Sequence, residues 1–397
     1  MIRRQVAEIS GDAALRRFGA VLAFTHLLVA ATWARVDLGV MLAPGSEALC
    51  WPRFDDCRHW RIAAPGLIRG ALLAYAACAV LAGVLFLRQR VARAWGLLGL
   101  VELFRLGVML QDYKLRLNQH SMGIWIAAVF LFVPGKRRTL RFLIVAFYVA
   151  AGLLKLNREW LSGAALYAPP PLLPSSWIPL ACAYVALLEL GVAWGLLSAR
   201  PRIFWSSGLQ LALFAAMSLP IVGFFYPALM LCLLAFFALA RAPGERPLLS
   251  GLLEGQERRS TYATLAVFSL LQLWPRLQPG DTAITGEGRW LALHMFDAKV
   301  SCIAQARVRS GDAVVDRVDL QGQLPRRIRC DPLVYFHRAR ALCRQMAEAG
   351  AGALSVDLGL DSKRASDADF HPVIRVNDFC RAPPHYRALG WNAWILR

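Results

Sequence analysis

The sequence predicts an all-α polytopic membrane protein carrying a small C-terminal α+β extramembrane domain, and three observations lead there. Of 397 residues, 57% have hydrophobic side chains and the mean hydropathy is positive, which is too apolar throughout for a water-soluble chain of this size. The apolar residues gather into runs of about membrane-crossing length, separated by short basic loops, which is the positive-inside pattern. From about Gly286 the composition becomes that of a soluble domain. The excess of 45 Lys+Arg over 26 Asp+Glu lies largely in the short loops, so membrane lipid, and not nucleic acid, is the expected partner of the charge.

Taken in order, residues 1–17 are a polar leader with Arg3, Arg4, Arg16 and Arg17, expected in the cytoplasm. The run from Phe18 to Trp33 reads as a retained first helix, because many spans follow it. A mixed loop holds Cys50 and Cys57, and a second span from about Leu67 to Leu87 exits at Arg88, Arg90 and Arg93. The third, about Ala94 to Leu110, contains Glu102 and Arg105, whose i, i+3 spacing puts them on one face as a buried ion pair. His26 inside the first span is a second polar group to be satisfied.

A fourth span runs to Val133 and the basic Gly135–Arg138 turn, and a fifth from Phe142 to Leu156. That length covers roughly two thirds of a hydrocarbon core, so Lys155 falls near its far rim. Lys155 either snorkels to the headgroups or faces the protein with a chemical role. Trp177 to Leu197 is the sixth span, with Glu189 in its middle, and the run from Ile203 to Ala240 is long enough for two spans around Pro220, Gly223 and Pro227. Arg241 to Arg259 is again basic, and Thr261 to Leu277 makes a last span. The total is about nine helices in a transmembrane domain over residues 18–277, N-terminus cytoplasmic, with residues 278–397 periplasmic in a bacterial inner membrane.

In that tail, CIAQARVRSGDAVVDRVDL alternates as a β-hairpin around Ser310-Gly311-Asp312, Pro332 to Ala349 has helical spacing, and strands are expected at Leu354 to Leu360 and Val373 to Val376. Cys302, Cys330, Cys343 and Cys380 are expected to form two disulfides of open connectivity, with Cys50 and Cys57 forming a third. The chain has no Walker, Rossmann or zinc-protease motif, and His59, His294, His337, His371 and His385 lack ligand spacing, so no metal site is expected.

Two stretches carry a resemblance. Leu117-Asn118-Gln119-His120-Ser121, then a span, a basic turn and AFYVAAGLLKLNREWLSG, resemble the vitamin K-dependent γ-glutamyl carboxylase and its bacterial relatives, the horizontally transferred transmembrane domain family. Ala151-Gly152-Leu153-Leu154-Lys155-Leu156-Asn157 and Trp160 match the second of that family's stretches. The resemblance covers about Phe18 to Arg241. It implies Lys155 as a catalytic base on a quinol or vitamin K-like hydroquinone, His120 as its catalytic partner, and Asn118, Glu189 and Trp160 at the cofactor. The family's later His-x-x-Asn pattern falls here on Leu213 and Ala216, and its large lumenal domain is replaced by the short tail, so peptide carboxylation is the less secure implication.

A lysine is a base only when neutral, and apolar surroundings favour the neutral form. Lys155, His120 and Asn118 are expected to form one polar site, with a neutral imidazole rather than a carboxylate beside the amine. Two functions follow. One is a membrane enzyme acting on a quinol or similar lipid-soluble acid, coupled to oxidation or carboxylation of a partner protein or peptide held by the tail. The other is a non-catalytic scaffold or lipid-binding protein whose tail recruits a partner.

Overall fold

The computed structural model describes residues 2–36, 38–42, 48–52, 54, 57, 64–168, 170, 173–241, 258–293, 299–321, 324, 328–351 and 354–397; His59 and His294 lie outside them. The chain is mostly helical with a small antiparallel sheet domain. Its helices are α1 (Ile2–Gly11), α2 (Ala13–Arg35), α3 (Leu38–Met41), α4 (Pro65–Leu87), α5 (Val91–Gln111), α6 (Asn118–Phe132) and α7 (Lys136–Leu154). They continue as α8 (Arg158–Leu161), α9 (Ile178–Leu190), α10 (Pro201–Val222), α11 (Phe225–Ala240), α12 (Arg258–Leu273), α13 (Thr282–Thr285) and α14 (Pro332–Glu348). Among the described residues, five segments are long and apolar enough to cross a membrane, namely those of α2, α4, α5, α10 and the stretch Ser175–Leu197 that contains α9.

Local chemistry sets the ends. Asp12 caps α2, its carboxylate accepting from the Ala14 amide at 2.8 Å, so the expected polar leader is in fact a separate helix, α1, with Gln5 and Ile9 buried. Gly135, at φ 71°, starts α7, so the basic turn becomes the first turn of that helix. The long apolar run divides at Gly223, whose φ of 78° halts α10 where a side chain would be strained.

Helix ends sort into two layers. In the first, the Lys136 amide donates to Glu8 at 2.7 Å, Arg137 meets Asp12 at 3.5 Å, Arg241 donates to the Ala199 carbonyl at 2.9 Å, and Ser260 donates to the Pro134 carbonyl at 2.8 Å. In the second, the Tyr113 amide donates to the Leu49 carbonyl at 2.7 Å, Arg35 lies 4.3 Å over the Phe224 ring, and Arg276 donates to the Leu153 carbonyl at 3.1 Å. The bundle core between them centres on Phe18, Phe86, Phe130, Phe147 and Phe236.

The tail docks on the second layer. Its strands β1 (Val300–Ser310), β2 (Ala313–Asp319), β3 (Ser355–Arg364) and β4 (His371–Val376) form a sheet of order β2-β1-β3-β4, all antiparallel, with Gly311 in the β1–β2 turn. Alternate residues Ala304, Ala306, Val356, Leu358 and Leu360 bury one face against Tyr335, Phe336 and Ala339 of α14. The cysteines pair as Cys50–Cys57, Cys302–Cys330 and Cys343–Cys380, resolving the open connectivity. Docking is polar and apolar together: Arg116 donates to the Trp290 and Ala292 carbonyls, both at 3.2 Å, Tyr113 donates to Asp331 at 3.0 Å, and Ile328, Leu333 and Val334 share a core with Leu49 and Trp51.

Candidate functional site

Lys155 is the C-cap of α7, its amide donating to the Gly152 carbonyl at 3.0 Å. Tyr148, Gly152 and Lys155 recur at i, i+4 and i+7 and share a helix face. Gly152 lets α9 come close, since a Cβ there would lie 2.7 Å from Leu190 Cγ and 3.1 Å from Glu189 Cβ. Across that contact Lys155 Nζ reaches Glu189 Oε2 at 2.5 Å and the Ala151 carbonyl at 3.4 Å, and it stands 5.1 Å from the Trp160 ring centroid. Trp160 is itself fixed by donating from Nε1 to the Cys182 carbonyl at 2.8 Å. Lys155 is 2% exposed and Glu189 fully buried, so the amine does not snorkel into lipid or headgroups.

Three of the expected site residues, Lys155, Glu189 and Trp160, therefore meet. The neighbour of Lys155 is a carboxylate, not the neutral imidazole expected, because α9 and not α6 presents a polar group to this face of α7. Glu189 Oε1 and the Tyr148 hydroxyl are buried without a hydrogen-bond partner, with Tyr148 in electrostatic reach of Glu189. A weakly acidic hydroxyl placed between them would find an acceptor, a donor and a proton-exchanging pair.

His120, on α6, has other company. It is fully buried, its ring 5.4 Å from that of Trp33 and 5.2 Å from that of Phe225, and neither ring nitrogen has a hydrogen-bond partner. Asn118 is buried as the first residue of the same helix. Among the described residues, no hydrogen bond joins His120 to Lys155.

A second polar cluster adjoins His120. Glu102 and Arg105 form the expected ion pair, and His26 joins it, with Nε2 at 3.1 Å from Glu102 Oε1. On its other side His26 Nδ1 bonds the Tyr75 hydroxyl at 2.6 Å. Trp33 lies 5.7 Å from Tyr75, linking this cluster to His120. Tyr75, Trp33 and Tyr148 carried no signal in the sequence, since one aromatic in an apolar span is ordinarily packing.

Glu159 of the second sequence motif is buried and accepts from the Ser366 amide at 2.6 Å, so part of that motif anchors the tail. The sequence matches no protein-family profile, and no curated protein or solved structure is similar to it.

Proposed function

We propose that the chain is a bacterial inner-membrane enzyme resembling the carboxylase-like family, in which the Lys155–Glu189 couple takes a proton from a quinol, a vitamin K-like hydroquinone or a comparable lipid-soluble acid. The observation that carries this is the Lys155 amine, 2% exposed in an apolar bundle and 2.5 Å from a fully buried carboxylate. Such a couple can be written as ammonium with carboxylate or as amine with carboxylic acid. Either accepts one proton from a substrate hydroxyl, whose oxygen keeps the electron pair as an oxyanion beside the now cationic couple. Trp160 forms the wall over the amine.

In this reading α2, α4, α5, α6, α7, α9, α10, α11 and α12 all cross the bilayer, with the N-terminus cytoplasmic and the tail periplasmic. Two regularities support the orientation. Arg88, Arg90, Lys136, Arg137, Arg138, Arg200 and Arg241 sit at helix ends of the first layer, as cytoplasmic ends require. All three disulfides sit in the loop and tail of the second layer, while Cys78, Cys182 and Cys232 inside helices are free, as an oxidising compartment on that side requires. The tail would offer a protein or peptide partner its exposed side.

The test is organic extraction of protein purified in its own lipids. A quinone is expected in the native protein and absent from Lys155→Ala and Lys155→Arg, the latter because guanidinium keeps its proton. No quinone in the native protein, or equal amounts in the variants, overturns the proposal. A scaffold is the second reading, favoured by the same short ion pair acting as a clasp between α7 and α9. It predicts that Lys155→Met combined with Glu189→Leu, an apolar replacement of similar volume, leaves function intact.

A further inference from the structure

We propose that the first-layer ends of α1, α2, α4 and α5 form one docking surface for the headgroups of anionic phospholipids, built on Arg3, Arg4, Arg17, Arg88, Arg90 and Arg93. All six side chains are exposed and, among the described residues, none has a hydrogen-bonding or ionic partner within the chain. Elsewhere in this layer acids and bases are matched. Glu8 lies four residues on from Arg4, within reach along the helix, yet it turns to Lys136, accepting from its amide at 2.7 Å and standing 3.8 Å from its amine. Asp12 likewise meets Arg137 at 3.5 Å. Glu8 and Asp12 are thus both engaged with α7, and the edge formed by α1, α4 and α5 is left to the arginines.

The six gather because of how these helix ends meet. A Cβ at Gly19 would lie 3.0 Å from the Phe86 ring, so α2 and α4 touch there, with Arg17 two residues from one side of the contact and Arg88 two residues from the other. Gln89, at φ 60°, reverses the chain, and the Arg88 and Arg90 amides donate to the Val84 and Leu85 carbonyls, both at 2.9 Å. The turn is fixed by its backbone and needs none of the arginine side chains. α1 packs on α2 and α5, its Ile9 sharing a core with Val91 and Ala94, which brings the arginines of α1 to the same layer.

A second observation marks this edge as a bilayer surface. Trp95, about one turn into α5, is half-buried, donates from Nε1 to the Leu131 carbonyl at 3.1 Å and stands 5.8 Å from the exposed ring of Phe132. Exposed Leu87 and Ile2 sit directly beside Arg88 and Arg3. Aromatic rings just inside a cationic rim, with apolar side chains interleaved, mark where acyl chains give way to headgroups. A guanidinium takes a phosphate by two parallel hydrogen bonds, and arginines gathered without an acid repel one another until an anion comes between them. A zwitterionic headgroup brings its phosphate with a cation attached, whereas an anionic one relieves the repulsion, so the surface selects the anionic class. The inference rests on the reading that these helices cross the bilayer and does not need Lys155 to be a base.

The experiment equilibrates full-length protein with mixed micelles of equimolar phosphatidylglycerol and phosphatidylcholine, repurifies it and measures the two retained lipids by mass spectrometry. Native protein is expected to retain several-fold more phosphatidylglycerol. Arg17→Gln, Arg88→Gln, Arg90→Gln and Arg93→Gln combined should bring the ratio down toward one. The same charge loss in the tail, by Arg307→Gln, Arg317→Gln, Arg381→Gln and Arg387→Gln, should leave the ratio unchanged, as should Lys155→Ala. A native ratio near one, a ratio that survives the four first-layer changes, or one that falls equally with the tail changes or with Lys155→Ala, overturns the surface. Native protein that retains neither lipid overturns the membrane reading as well. Should the first-layer variant lose its disulfides or its thermal transition, salt decides on native protein: the preference should fall steeply from low to high ionic strength, and one indifferent to salt refutes the surface.

Discussion

Two of the ion pairs buried in this bundle differ in how they are made. Glu102–Arg105 lies within one turn of α5, whereas Lys155–Glu189 spans 34 residues and joins α7 to α9. The local pair is assembled by the helix itself, so the neighbouring helices remain free to add to it, and His26 and Tyr75 do. The tertiary pair must instead be held by packing, which is why it needs Gly152 at the crossing. A local pair grows into a network; a tertiary pair depends on how closely two backbones approach.

Breaking the tertiary pair should have the largest effect. Lys155→Ala leaves a buried, unpaired Glu189 and is expected to cost about 3–5 kcal/mol in reversible unfolding, while Lys155→Met with Glu189→Leu recovers most of it. A single variant as stable as the native protein would mean that the pair is not desolvated.

A buried titratable group with no opposite charge acting on it sharpens the contrast. In the tail, burial and then the nearby Arg340 charge push the His337 imidazole down to about 4 from an ordinary 6.5, with a hydrogen bond to the Cys50 backbone as a smaller opposing influence. The unfolded chain therefore binds a proton that the folded domain refuses. Stability present above pH 6.5 is lost as the pH falls to about 4 and then levels off, by about 3 kcal/mol in all. Hydrogen exchange of α14 across this range should show the loss, and His337→Gln should flatten it.

The crossings come next. Gly152→Ala drives a methyl into Leu190 and Glu189 and should cost about 1–3 kcal/mol. Gly123→Ala meets the mobile end of Arg105, at 2.5 Å from Nη1, and should cost less in thermal unfolding while moving the guanidinium off Glu102. Equal losses at the two glycines would remove the distinction between the pairs. Smallest is Tyr75→Phe, which deletes one hydrogen bond and keeps the ring, at about 1 kcal/mol.

What was legible in the sequence follows the same divide between local and tertiary. The i, i+3 spacing of Glu102 and Arg105, the hairpin around Gly311 and the helix of Pro332–Glu348 are written in neighbouring residues and appear as expected. The cysteines of one loop pair with each other, but the tail pairing depends on which strands adjoin, and spacing does not encode that. Lys155 stood out by its type and depth, and Glu189 by its isolation in an apolar span. That they face each other, and that His120 faces Trp33 and Phe225 instead, is set by the rotation of α6, α7 and α9 about their axes.

The docking of the tail on the first loop has a consequence for biogenesis. Leu49, Trp51 and the Cys50 backbone are made early, and the α14 residues that cover them are made near the end of translation. The earliest helices are therefore made with one rim open, and that rim closes only after the last segment has been made and folded. A chain shortened before Pro332 would insert its helices yet leave this rim uncovered, making its detection by membrane quality control a direct reporter of when assembly is complete.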